Sequence, residues 1–184
     1  MRYSDDHKAK TRQRIIDEAG HLFRRDGVGA TGLQPLMKTL GLTHGGFYAH
    51  FKSKDELVET ALAHSAEQLN ASTEHVFAGA NPLATFIRTY LSTAHCASPG
   101  EGCPLPTLSA ELGQRGQPSP VTDEIVRNRL AAIEACLPAE DGAEQSIVML
   151  SALVGALVLA RSVKDPELSE RLLKTARQQL LSQV

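Results

Sequence analysis

Apolar positions recur at helical spacing along nearly the whole chain. Ile15, Ala19, Leu22 and Phe23 follow i, i+4, i+7, i+8, with Ile16 beside them and Lys10, Arg14, Asp17 and Arg24 opposite. That pattern predicts an amphipathic first helix, closed by Gly27 and Gly29. Leu33, Leu36, Met37 and Leu40 predict a short second helix over residues 32–40, with Thr31 as its cap and Pro35 in its first turn. After a tight turn at Gly41-Leu42, Thr43 is expected to cap a third helix of roughly two turns. It would end near Phe51, with Phe47 and Phe51 one turn apart on its inner face.

Ser53 and Glu56 have the spacing of a capping box, and they open a long fourth helix carrying Leu57, Val58, Ala61, Leu62, Leu69 and Val76. Asn81-Pro82, Ser119-Pro120 and Asp165-Pro166 each read as a cap followed by a helix start. The helix from Asn81 would turn Leu83, Phe86, Ile87, Tyr90, Leu91 and Ala94 inward. The one from Ser119 would bury Val126, Leu130, Ile133 and Leu137, and the last would bury Leu168, Leu172, Ala176 and Leu180. Between them lie a break from Ser98 to Pro106, a short helix over residues 107–112 and a loop from Gly113 to Gln117. A helix that is apolar on almost every side runs from about Asp141 to Val163. The expected fold is all-α with about nine helices, without strands or internal repeats.

Composition agrees. Aromatics are only 4% of the chain and there is no Trp, while Ala and Leu dominate an apolar share of 42%. Such a mix suits helix-on-helix packing better than a sheet. The longest stretch without a charge, Gln145 to Ala160, falls short of the ~20 residues a membrane span needs. Met1 to Arg14 is polar, with no apolar core of a secretory leader behind it, so a soluble cytoplasmic protein without membrane contact is expected. Three cysteines cannot all pair and are expected to be thiols. The net charge of −2 hides an asymmetry. Residues 1–54 hold ten Lys/Arg and five Asp/Glu, a net +5, whereas residues 55–184 hold nine and sixteen, a net −7. A basic head on an acidic body presents one end to a polyanion.

Residues 31–51 have the layout of a helix-turn-helix motif, though an ordinary helical hairpin would give the same spacing. Leu36, Met37, Leu42 and Phe47 would form the wedge, leaving Thr43, His44, Gly45 and Tyr48 outward. Adjacent Gly45 and Gly46 lower helix propensity by up to ~1 kcal/mol each, a cost that makes sense where backbone must approach a sugar-phosphate wall.

The run Gly41-Leu42-Thr43-His44-Gly45-Gly46-Phe47-Tyr48-Ala49-His50-Phe51-Lys52-Ser53-Lys54-Asp55-Glu56-Leu57 resembles the signature of the tetracycline-repressor (TetR) family of bacterial transcriptional regulators. That signature reads Gly-Val-Ser-x-Gly-x-Leu-Tyr-x-His-Phe-x-Ser-Lys-x-x-Leu. The resemblance is sharp over residues 8–66 and loose beyond. It implies a head over residues 1–53 that reads an operator in double-stranded DNA, and a ligand-binding and dimerisation body over residues 54–184. It further implies a homodimer released by a small inducer, with no enzymatic activity and no cofactor. Carried over by position, Thr31, Tyr48 and Lys54 match phosphate contacts, and Thr43, His44, Gly45 and His50 fall on the recognition helix. Met37 and Leu40 depart from the family's usual Ala. The third helix also lacks Arg, Asn and Gln, so base readout would fall to His44, Thr43, Gln34 and DNA shape.

Phe86, Tyr90, Leu108, Met149 and Leu153 are candidates for the lining of a ligand cavity between the central helices. Cys103 joins them, because Gly102-Cys103-Pro104-Leu105 through Glu111-Leu112 resembles a segment of one branch of the family, some members of which sense electrophiles through a thiol. Lying just before a helix, Cys103 would have a lowered pKa. Cys136 reads as core, and His95, Cys96 and Cys103 as loop positions rather than a metal site. Ser151, Ala152, Gly155, Ala156 and Ala160 put small residues along the eighth helix. The dimer contact is therefore expected at Ala152, Gly155, Ala156, Leu172 and Ala176, through the last two helices. Ligand entry would move the head through the fourth helix. Two other classes compete: a thiol-dependent helical enzyme using Cys103, and an adaptor that binds acidic proteins. No paired carboxylates, catalytic triad or nucleotide fingerprint supports the first.

Overall fold

A computed structural model describes residues 2–116 and 118–184, with side chains from residue 6 onward. The described chain is α-helical without strands: α1 (Arg2–Asp26), α2 (Leu33–Thr39), α3 (Lys54–Phe77), α4 (Pro82–Tyr90), α5 (Thr93–Ala97), α6 (Leu105–Arg115), α7 (Pro120–Glu134), α8 (Gly142–Ser162) and α9 (Pro166–Leu181). Two 3-10 turns complete it, at Gly45–Ala49 and Pro99–Glu101. The number of α-helices equals the expectation, but one member has been exchanged. The expected third helix is a single 3-10 turn, because Gly45-Gly46 cannot sustain a regular helix. The extra helix is α5. It exists because the chain bends after Tyr90 and the Ser92 side chain caps a new turn by accepting from the His95 N–H at 3.1 Å. Ala94, expected inward, is on the surface as a result.

Apolar side chains gather in two clusters. The head cluster joins Ile15, Ala19 and Phe23 of α1, Leu36 and Met37 of α2, Phe47 and Phe51, and Leu57, Ala61 and Leu62 of α3. Phe47 and Phe51 stack with centroids 5.6 Å apart, fully buried under the 3-10 turn. The body cluster lies between α4, α7, α8 and α9, with Ile87, Leu91, Ile133, Leu153 and Leu157 at its centre. Helix α3 serves both, its first half in the head and Ala66 and Leu69 in the body.

Several local expectations shift by one position. Thr31 does not cap α2: its buried hydroxyl donates to the Gly27 carbonyl at 2.7 Å, and Gly32 takes the cap. Ser53 caps α3 by accepting from the Glu56 N–H, but the Glu56 carboxylate reaches the Lys52 N–H at 2.7 Å rather than that of Ser53. The inner stripe of α7 is Ile125, Arg129 and Ile133, with Val126, Leu130 and Leu137 half-buried on its flank. On α9 the inner residues are Leu173 and Leu180, and Leu168, Leu172 and Ala176 sit at the edge. Adjacent leucines hide which of the two faces inward. Helix α6 extends beyond the expected 107–112 at both ends, and Gln117, the end of the expected loop, lies outside the described residues.

Head and body are stitched at the loop after α1. The Glu111 carboxylate on α6 accepts from the Val28 and Gly29 N–H groups, each at 2.7 Å, and from Arg115. Gly27 and Gly29 permit this, since a Cβ at either position would collide with the Glu111 side chain. Lys54 donates to the Val28 carbonyl at 2.7 Å. From the other side the Thr107 hydroxyl donates to the Arg24 carbonyl and the Arg24 guanidinium to the Gly100 carbonyl, both at 2.7 Å. Replacing Glu111 with Ala takes the charged partner from two backbone donors, one part-buried at Val28 and one exposed at Gly29. We expect a loss of about 1–3 kcal/mol in chemical denaturation, and an unchanged midpoint would refute the clamp.

Candidate functional site

The recognition turn is built from the inside out. Gly41 adopts a left-handed conformation (φ +71°), which closes the turn after α2 with the Leu42 N–H donating to the Met37 carbonyl at 2.8 Å. Thr43 then starts the 3-10 turn, its hydroxyl accepting from the Gly46 N–H at 3.2 Å. Buried Phe47 and Phe51 anchor it from below, so Thr43, His44, Gly45 and Tyr48 face solvent. Tyr48 is 60% exposed and is steadied edge-on against Phe47 (5.3 Å) and His44 (5.9 Å). A Cβ on Gly45 would meet nothing. No internal packing explains its missing side chain.

Cations flank this surface. The guanidinium of Arg12 lies 4.6 Å over the Phe51 ring. Lys8, one turn earlier, and Arg12 both act on His50, whose pKa falls below its usual value first through burial and then through these two charges. His50 Nδ1 is buried without a partner among the described residues. Gln34 is exposed on α2. The structure thus places Thr43, His44, Gly45 and Tyr48 together outward, with His50 half-buried beside them. Thr31 and Lys54 turn toward the junction loop, with the Thr31 hydroxyl and the Lys54 ammonium each donating to a loop carbonyl. Lys8 and Arg12 were missed. Their i, i+4 spacing on the polar face of α1 is the signal that could have found them.

A second concave site, of about 340 Å³, opens in the body between α3, α4, α5 and α7. Leu69, Val76 and Phe86 make its walls apolar, and Tyr90, His95, Cys103 and Arg129 bring polar atoms to it. Of the residues expected to line a cavity, Phe86, Tyr90 and Cys103 do so. Leu108 instead belongs to the head core, and Met149 and Leu153 to the body core. His95 is held as a neutral ring: Nδ1–H donates to the Tyr90 carbonyl at 2.7 Å, and Nε2 accepts from the Cys103 N–H at 3.2 Å. Burial lowers its pKa, and the nearby Arg161 adds to that.

Cys103 does not have the lowered pKa expected from its place before α6. It is buried to 3% exposure, and loss of solvent pushes its thiol up despite the Tyr90, Leu105, Arg129 and Arg161 groups that favour the thiolate. Burial likewise pushes the Tyr90 hydroxyl well up. Cys103 lies beside that hydroxyl without meeting hydrogen-bond geometry, so the hydroxyl has no partner among the described residues. No group of three or more metal-ligating side chains comes together among the described residues.

A third feature is a shallow groove of about 540 Å³ along α8 and α9. All five residues expected at a dimer contact, Ala152, Gly155, Ala156, Leu172 and Ala176, line it. Ile147, Val148 and Leu159 on α8 are more than half exposed.

Residues 15–61 match the family model for bacterial regulatory proteins of the tetR family. The transcriptional regulator AcrR of Shigella flexneri is 46% identical over 48 residues, which are 26% of this chain and 22% of that protein. The chain therefore spans about a fifth of that relative. An uncharacterised helix-turn-helix transcriptional regulator of Mycobacterium tuberculosis is 24% identical over 84% of this chain and 86% of its own length. Among solved structures, a TetR transcriptional regulator from Chloroflexus aurantiacus superposes with a TM-score of 0.80 at 21% identity, covering 96% of this chain and 95% of the other. That likeness is one of fold.

The raised thiol pKa predicts slow chemistry at Cys103. Iodoacetamide at about pH 8 should label Cys103 in the native protein far more slowly than in the denatured chain, read by peptide mass spectrometry. Because the folded pKa lies above the unfolded one, the protonated thiol contributes its full stability below the unfolded pKa. That contribution is lost as pH rises through the folded value. Equal labelling of native and denatured Cys103 would contradict the burial.

Proposed function

We propose that the chain, whose residues 15–61 match the family model for bacterial regulatory proteins of the tetR family, is a DNA-binding transcriptional repressor of that family. In this reading it works in the cytoplasm as a homodimer, binds a palindromic operator, and is released when a small molecule enters the body cavity. The observation that carries it is the recognition turn: an outward surface of Thr43, His44, Gly45 and Tyr48, anchored by two buried phenylalanines and flanked by Lys8 and Arg12. Gly45 is unobstructed and has no internal role, as expected where a duplex backbone comes close. Base readout rests on His44, Thr43 and Gln34. Contacts to phosphate rest on Tyr48 and the flanking cations; Thr31 and Lys54 serve there by holding the loop before α2 in place.

Dimerisation through α8 and α9 is supported by the groove and by the three exposed aliphatic side chains of α8. This helix has a mean hydropathy of 1.8 over its most apolar window, yet only 39% of that window is buried within one copy. Small residues there let a second α8–α9 pair approach closely into a four-helix bundle across the two-fold.

Release by ligand follows a shorter route than α3 alone. The cavity wall at Gly102-Cys103 continues into Pro99–Glu101, which Arg24 and His21 of α1 hold, and into α6, which holds the junction loop through Glu111. Couplings of this kind amount to about 1–3 kcal/mol. Of the two triggers, a bound small molecule and a thiol-reactive compound, the buried and protonated Cys103 favours the first.

Binding to duplex DNA selected from a random library tests the reading. With about 6–8 phosphate contacts per dimer, log K should fall against log[salt] with a slope near −5 to −7. Gly45→Ala should remain as stable as the wild type yet bind at least about tenfold more weakly. A salt-independent affinity, or full binding by Gly45→Ala, contradicts it. For the dimer, Val148→Asp should shift the sedimenting species to a monomer at micromolar concentration, and an unchanged species would place the contact elsewhere.

A further inference from the structure

Arg129 is the least expected residue of the body. It is 2% exposed, in the middle of the inner stripe of α7, and has no carboxylate within ion-pair distance among the described residues. Its one hydrogen bond among those residues runs from Nη2 to the Leu69 carbonyl at 3.2 Å, and the Phe86 ring lies 5.7 Å from the guanidinium carbon. A carbonyl and a ring face compensate a buried guanidinium only in part. Its titratable neighbours are Tyr90 and Cys103, both of which hold their protons at neutral pH. Glu101, the acid on the cavity wall, turns instead to His21 at 2.9 Å and is 74% exposed. Behind Tyr90, Arg161 binds the His95 and Cys96 carbonyls, and its Nη1 is buried without a partner among the described residues. The cavity therefore has an uncompensated positive potential, apolar walls, and a 5% exposed phenol whose hydroxyl awaits a partner.

We propose that this cavity takes an organic monoanion, a compact apolar or aromatic body carrying one carboxylate or phenolate, with its charge on Arg129 and an oxygen accepting from the Tyr90 hydroxyl. The inference rests on the reading of the cavity as the ligand site and adds the class of ligand. A charge-assisted contact to a guanidinium is stronger than a neutral one, so charge governs selection while the walls accept varied bodies. A metal cation or an organic cation is disfavoured by the same potential.

The probes are 2-naphthoate and its neutral isostere 2-naphthamide, titrated calorimetrically into the full chain. Naphthoate should bind at least about tenfold more tightly than the amide. Arg129→Met should abolish that preference, Arg129→Lys should keep part of it, and Tyr90→Phe should weaken naphthoate several-fold. Ligand-free Arg129→Met should melt no lower than the wild type, because the buried charge has no counter-ion to orphan and the Leu69 carbonyl still accepts from the Thr73 hydroxyl at 2.6 Å. A residue that merely clamped α7 to α3 would instead lower the melting temperature when replaced. Equal affinity for the two probes, binding of neither, or a preference that survives Arg129→Met overturns the proposal. Duplex binding of the same preparations separates the two readings. If it persists while naphthoate shows no preference, only the ligand class is lost; if it is absent while the preference holds, the regulator reading fails and the anion site stands.

Discussion

The carboxylate of Glu111 is the constraint on which the rest of the architecture turns. It neutralises two adjacent backbone N–H groups in the loop between α1 and α2, at a place where two glycines leave room for nothing else. A loop of this kind has few apolar contacts and would wander without such partners. Glu111 from α6 and Lys54 from α3 both hold it, so the loop that leads from α1 to α2 is tied to the body by polar contacts. The same α6 begins two residues after Cys103, on the wall of the cavity. Mechanical continuity between the cavity and the head thus requires no long-range device, only a short helix with a polar contact near one end and the cavity wall at the other.

What was legible in the sequence were the features that local chemistry decides alone. Helical periodicity placed α1, a capping box opened α3, an unbroken apolar run placed α8, and cap-then-proline pairs placed the starts of α4, α7 and α9. The outward set Thr43, His44, Gly45 and Tyr48 followed from spacing and from the buried phenylalanines. Where the reading failed, a tertiary partner decided the outcome. Val126 and Leu130 read as inward-facing on α7, but Ile125 and Arg129 take the buried positions and leave both on the flank. Cys103 looked activated because it precedes a helix, but desolvation outweighs the field of a short helix end. Lys54, matched to a phosphate contact by resemblance, also spends one N–H group on a carbonyl 26 residues away, which its sequence position did not announce.

The charge asymmetry takes on more meaning beside this geometry. The basic residues of the head are not spread evenly; Lys8 and Arg12 stand next to the recognition turn and add to the lowering of the His50 pKa that burial begins. Such crowding of cations destabilises an isolated head slightly and is relieved when a polyanion supplies the countercharge. The acidic body keeps the opposite end from competing for the same surface.

Gly45 and Arg129 are the two places where the chain breaks a local rule and gains nothing internally. A glycine in an exposed turn that could hold any side chain lowers propensity without relieving a clash, and a guanidinium in an apolar core lacks a counter-ion. Proteins usually correct such features unless something outside the chain completes them. Each completion differs in kind: the glycine withholds atoms so that a large neighbour can come near, while the arginine offers charge so that a small one is retained. The first lies on the surface of the head and the second in the wall of the body. The clamp at Glu111 lies between them, so under the proposed function occupancy at the second would alter the fit at the first.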